Sequence, residues 1–271
     1  MRRAHLYLIA VSIATLYLGI LVFGLHTKRL RVFVESTSSR QEAPWQPPAE
    51  GSIAAGQLGE SIRWGRQIFN DTALYAPRYT SARISCGNCH AEGGIQPTAA
   101  PMVGIPSHFP MYSKRAKRMI SLYDRIEECF VRSENGKPLP HDSPEMKALV
   151  DYISWLSTPE PDNVPFHGSG LQLLTERKVD AKNGAKIYTE QCAGCHGSDG
   201  QGNPPIYPPL WGPYSFNDGA GMNNVQKLAS FVQQNMPQNR MGMLTPQEAY
   251  DVAAFIHQKP RPHFDQTLAK Y

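Results

Sequence analysis

The chain has no excess of basic charge beyond its first 31 residues. Its formal +4 comes from five Lys and Arg that precede Val32 without a single acid, and setting those aside leaves −1 for the remainder. A nucleic-acid surface built on clustered cations therefore has no compositional support. Strand-like alternation of apolar and polar residues is also missing, which argues against a β-rich fold. Long apolar runs are absent with one exception, Leu6–Leu25 (LYLIAVSIATLYLGILVFGL), about the 20 residues that span a bilayer. That run leads into HTKRLRVFV and not into a small-x-small exit. An uncleaved signal anchor over residues 1–35, crossing the membrane at about 6–25, is expected, with cleavage as the alternative. Arg2 and Arg3 on one side against Lys28, Arg29 and Arg31 on the other leave its orientation undecided by charge.

Proline (23) and glycine (22) are plentiful, which suits compact helical domains threaded by long turns. Cysteine is scarce, and four of the five fall in two similar strings, SCGNCHAEGG (85–94) and QCAGCHGSDGQG (191–202). Each contains C-x-x-C-H. In that spacing two thiols form thioethers to the vinyl groups of haem and the adjoining imidazole ligates iron, so Cys86, Cys89 and His90, then Cys192, Cys195 and His196, are expected to hold two covalently attached haem c groups. A zinc knuckle or a redox dithiol is the other reading of such a motif. The flanks favour haem because they repeat as well. GRQIF (65–69) precedes the first motif and GAKIY (184–188) the second, each with an aromatic four residues after glycine on one helical face. Downstream, LVDYISWL (149–156) matches AYDVAAFI (249–256) at a constant offset of 100.

The starts of these closing helices are legible. Ser143-Pro144 offers an N-cap with proline at N1, and Thr245-Pro246-Gln247-Glu248 adds a capping-box glutamate. Met146, Leu149, Val150 and Ile153 then form a core stripe, as do Ala249, Val252, Ala253 and Ile256. An N-terminal helix, C-x-x-C-H, a long loop and a C-terminal helix resemble class I cytochrome c, twice over. The expected fold is therefore mainly α: two such domains in tandem after an N-terminal transmembrane anchor. We expect a tether at 36–57, a first domain at 58–160, a linker at 161–178 and a second domain at 179–271. Haem of this type is attached outside the bacterial cytoplasm, which puts both domains on the periplasmic side of the inner membrane.

The second axial ligand separates electron carriers from catalysts. Met236 lies 40 residues after His196, just before the closing helix, with Met241, Met243 and Met222 as rivals. Counting 39 residues from His90 lands on Cys129, the cysteine that belongs to no pair. His108 is an alternative ligand, and a free thiol packed as a small hydrophobe is the plain reading of Cys129. Position favours Cys129 over His108 as the ligand, and the ligand and packed-thiol readings of Cys129 both stand.

RIEECFVRSENGKPLP (125–140), followed by SPEMKALVDYISWLS, resembles the segment around the haem-ligating cysteine of the dihaem thiosulfate dehydrogenases. NMP…LTPQEAYDVAAFI resembles their second domain, and the likeness spans roughly residues 60 to 260. The resemblance implies an oxidoreductase in which a Cys/His haem is the active site. A His/Met haem relays electrons, and two thiosulfates are joined to tetrathionate or the reverse. Carried over by position, Cys129 is the distal ligand and catalytic sulfur, Arg125, Arg115 and Ser133 bind substrate, and Met236 caps the second haem. A redox partner such as a soluble cytochrome c or a membrane oxidase is implied too. The chain departs from the family pattern at Glu134, a carboxylate beside a site for dianions. A tethered dihaem carrier with no substrate of its own, and a dihaem peroxidase, are the alternatives. Arg118, Arg125 and Arg132, spaced by seven, are expected along one side of a helix, either as anion contacts or as a solvated face.

Overall fold

The computed structural model describes residues 47–158 and 170–270. The expected anchor and its span at 6–25 lie outside the described residues, and among those described no helix is long and apolar enough to cross a membrane. The first module consists of α1 (Gln57–Asn70), α2 (Leu122–Arg132) and α3 (Pro144–Leu156), with the short turn Cys86–Cys89 between α1 and α2. The second consists of α4 (Ala181–Ile187), α5 (Val225–Asn235) and α6 (Pro246–His257), and its motif forms the turn Ala193–His196.

In each module the first helix crosses the last at a glycine. A methyl group on Gly65 would lie 1.9 Å from the Ala148 carbonyl oxygen, and one on Gly184 would lie 1.9 Å from that of Asp251. The aromatics one turn on, Phe69 and Tyr188, are both buried at 2 % exposure. Phe69 meets the Tyr152 ring edge-on at 5.4 Å, and Tyr188 meets Phe255 at the same centroid distance. A carboxylate ties each pair together, one turn past the crossing in the first module and on the crossing residue itself in the second. Asp151 accepts from the Ser61 hydroxyl at 2.6 Å, and Asp251 accepts from Asn183 Nδ2 at 2.9 Å. The caps form as the sequence requires: Ser143 Oγ accepts from the Met146 N–H at 3.2 Å, and Thr245 and Glu248 make a reciprocal capping box. Both core stripes are buried, apart from a half-buried Val150.

Two local expectations are corrected. A short antiparallel hairpin, β1 (Met111–Ser113) and β2 (Arg118–Ile120), stands where no strand is legible, with only three residues in each strand. Arg118 therefore belongs to β2 and does not share a helix with Arg125 and Arg132. Helix α2 begins only at Leu122, because Ser121 and Asp124 cap it reciprocally, and Arg118 instead pairs with Asp124 at 3.0 Å.

The modules share a contact surface. Ala82 and Ile84 of the first pack with Phe216 and Ala220 of the second, and Ala91 and Ala99 pack with Phe231. Leu174 is bound to the second module, its N–H donating to Ser230 Oγ at 3.0 Å.

Candidate functional site: two cysteine-histidine motifs and a lone thiol

Both motif histidines are held in the form that iron requires. His90 Nδ1 lies 2.5 Å from the Ala100 carbonyl and His196 Nδ1 lies 3.0 Å from that of Pro208. A hydrogen bond from Nδ1 to a carbonyl fixes the tautomer whose Nε2 keeps its lone pair for a metal. Burial keeps both rings neutral, pulling the His90 pKa down to about 4 and lowering that of His196. Burial also pushes the Cys89 thiol up to about 12 and Cys192 up to about 11, and raises Cys86 well above its ordinary value. Such surroundings disfavour thiolates, the form zinc takes, and suit uncharged thioethers.

Beside the second motif lies a cavity of about 280 Å³ lined by Cys192, Cys195, His196, Leu228, Val232 and Met236, among others. Met222 also lines it, whereas Met241 and Met243 are 43 % and 44 % exposed. Asn88 and Cys89 of the first motif form part of the same wall. Asn235, buried at 2 %, takes the position before Met236 into a cross-domain clasp: it accepts from Thr98 Oγ1 at 2.7 Å and donates to the Thr98 carbonyl at 3.1 Å.

Cys129 and Arg125 lie one turn apart on α2, so they share a face. Arg125 Nη1 is 3.0 Å from Cys129 Sγ and 3.6 Å from a Glu128 carboxylate oxygen. The Arg125 pKa is raised, chiefly by its approach to Cys129 and then by Glu128, against the effect of burial. The thiol is half-buried and the Arg125 side chain is 45 % exposed. Burial foremost, then Glu134 and Cys129 nearby, raise the Cys86 and Cys89 thiols. Ser133 is half-buried and follows α2, its N–H donating to the Cys129 carbonyl at 2.7 Å. Arg115 is exposed in the β-hairpin turn, away from α2 in sequence, and His108 is exposed with its ring on the Gly104 carbonyl.

Glu134 is 2 % exposed and points inward, with Thr80 Oγ1 3.4 Å from its carboxyl. Burial raises its pKa to about 8, against hydrogen bonds from Thr80 and Thr72 that act the other way. It is protonated at neutral pH and adds no charge against a dianion. Because the folded value lies above the ordinary 4.5, the folded state keeps a proton that the unfolded chain releases. This contribution to stability is complete below pH ~4.5, falls as pH rises and is lost by about pH 8. Glu134→Gln is expected to melt progressively higher than the parent as pH rises from 5 to 8, by up to a few kcal/mol, as thermal unfolding at the two pH values will read.

These features define a tandem dihaem cytochrome c. Residues 71–161 match the family described as SoxA/TsdA, cytochrome c domain, and residues 181–259 match Cytochrome c. The thiosulfate dehydrogenase of Allochromatium vinosum is 41 % identical over 229 residues, covering 81 % of this chain and 85 % of the relative. That of Stutzerimonas stutzeri is 38 % identical over 82 % of this chain and 74 % of the relative. Among solved structures, thiosulfate dehydrogenase (TsdBA) from Marichromatium purpuratum superposes with a TM-score of 0.76 at 34 % identity, over 81 % of this chain and 50 % of that one. The present chain thus spans half the length of that structure. It belongs to the thiosulfate dehydrogenase family, and it carries two covalently bound c-type haems.

Proposed function

We propose that this protein oxidatively joins two thiosulfates to tetrathionate, or runs the reverse, with Cys129 as the reacting sulfur. The observation that carries this reading is the 3.0 Å approach of Arg125 to Cys129 on one exposed face of α2. Thiosulfate is a dianion, and bringing two together costs about 4 kcal/mol per unit-charge pair at contact in an effective dielectric near 20. A guanidinium fork offsets that repulsion and orients the sulfonate oxygens. Arg125 is the first contact in this reading, with Ser133 at the end of the same helix and Arg115 on the neighbouring hairpin.

The Cys129 thiolate bonds to the outer sulfur of one thiosulfate, giving a cysteine S-thiosulfonate and releasing two electrons. A second thiosulfate attacks that outer sulfur, tetrathionate leaves, and the thiolate is regenerated. His90 and Cys129 would hold the first haem and His196 and Met236 the second, and when bound these groups would supply the one-electron chemistry that takes up this pair. Asn88 and Cys89, standing in the wall of the second cavity, support a direct path between the sites. A soluble cytochrome c or a membrane oxidase takes the electrons onward. Both domains act on the periplasmic side of the membrane, tethered by the segment at 6–25. The domain limits 58–160 and 179–271 serve as the functional units, with 161–178 between them.

The test is steady-state thiosulfate oxidation against tetrathionate reduction by the holoprotein. Absence of both, with both haems attached, sinks the proposal. Arg125→Gln is expected to lower kcat/KM for thiosulfate about 100-fold, and Arg125→Lys to recover part of the loss, because lysine keeps the charge without the fork.

A further inference from the structure

We infer that Asn217, a residue of the second domain, is a positioning residue for the sulfur of the first. This rests on the assignment of Cys129 as reacting sulfur and iron ligand, and it starts from the end of α2. A helix leaves its last four carbonyls without partners inside itself, and buried ones must find partners elsewhere.

In α2 these carbonyls belong to Cys129, Phe130, Val131 and Arg132. Two are satisfied within the first domain. The Cys129 oxygen accepts from the N–H groups of Ser133 and Glu134 at 2.7 and 3.0 Å, and the Phe130 oxygen accepts from Gly136 at 2.9 Å. Asn217 serves the other two, the second of them jointly with Asn135 of the first domain. The Asn217 side-chain Nδ2 donates to the Val131 oxygen at 2.8 Å, and its backbone N–H donates to the Arg132 oxygen at 3.2 Å, a carbonyl that Asn135 shares at 3.3 Å. Val131 is 1 % exposed, so bulk water does not reach this carbonyl while Asn217 is in place.

Asparagine fits this place through every polar atom it has. The second Nδ2 hydrogen serves Asn135 Oδ1 at 3.1 Å, and Oδ1 accepts from the Gly219 N–H at 3.1 Å. Asn135 itself sits at φ 45°, in the left-handed region where the chain leaves the helix. The neighbourhood is closed from the same side, with the Arg132 guanidinium 4.0 Å from the centre of the Phe264 ring. Asn217 is 2 % exposed and is not among the residues lining the second domain's cavity, although its neighbour Phe216 is. Its effect is directed at the helix that carries Arg125 and Cys129.

The test uses holoprotein carrying Asn217→Ala, with Asn135→Gly as a milder variant that keeps the left-handed turn. Wild type and Cys129→Gly set the reference spectra. In the variants, hydrogen exchange at the Glu134 and Gly136 amides is expected to quicken about tenfold, the loss of roughly one buried hydrogen bond. The thiolate signature of the first haem, in electron paramagnetic resonance and the near infrared, is expected to weaken. Thiosulfate kcat is expected to fall about tenfold with KM changed much less, while the methionine-iron band of the second haem stays as in wild type. Unchanged exchange and an unchanged thiolate signature overturn the inference, as does a loss confined to the second haem. A wild type without any thiolate signature overturns the ligand assignment instead, and the inference is then decided by the exchange rates and kcat.

Discussion

Cys129→Gly is expected to lose at least about a thousandfold in thiosulfate oxidation while keeping both haems. The haems are attached through Cys86, Cys89, Cys192 and Cys195, none of which the substitution touches. The thiol is only half-buried, so its removal leaves a shallow gap and not a sealed core cavity. Arg125 keeps Glu128 at 3.6 Å, and the anion-binding side chain therefore remains. What disappears is the nucleophile, the most reactive sulfur a side chain offers, and with it the donor expected at the first iron. Haem content by visible spectroscopy, together with initial rates in both directions, separates the roles. Full activity with two haems present would overturn the catalytic assignment. A change in the first haem spectrum with activity retained would leave Cys129 as a ligand only.

Gly184→Val and Gly65→Val are expected to cost several kcal/mol of stability each and to lower the yield of dihaem protein. The first carbon of any side chain would stand 1.9 Å from a backbone oxygen of the opposing helix, far inside van der Waals contact. Backbone cannot step aside as a long side chain can, so α4 and α6, or α1 and α3, must separate. That separation opens the contacts of Tyr188 with Phe255 and of Phe69 with Tyr152. Helix propensity favours replacing glycine, by about 1 kcal/mol for alanine, so a loss of stability identifies packing as the cause. Gly221→Ala, where a methyl meets nothing within 4 Å, is the control and is expected to melt with the parent. Thermal unfolding with haem quantification checks all three.

The helix crossings were legible because they leave local marks: glycine, an aromatic four residues on, a cap, a stripe. Arg125 entered beside Cys129 only through the family resemblance; that the two lie four apart on one helix face, 3.0 Å from each other, is what the fold adds. What could not be read is what depends on distant segments. Arg118 fits a seven-residue helical spacing, yet a serine-aspartate cap starts α2 after it. Glu134 reads as a misplaced charge until its burial and its neutral form are known. Asn217 and the Asn235–Thr98 clasp have no signal at all in the sequence. Each asparagine meets a partner 86 or 137 positions away, and no motif announces a hydrogen bond to a backbone carbonyl.

The bond between Asn217 and Val131 also sets an order of assembly. Synthesis runs from the amino terminus, so the helix bearing Cys129 exists for 86 residues before the amide that closes its end has been made. During that interval the first module can gather its own core, but two of the carbonyls at the end of α2 still lack Asn217 as their partner. The end of the helix that carries Cys129 is thereby closed only after the second motif, at 192–196, has also been produced. A chain cut short between the modules leaves the Val131 carbonyl without its Asn217 partner.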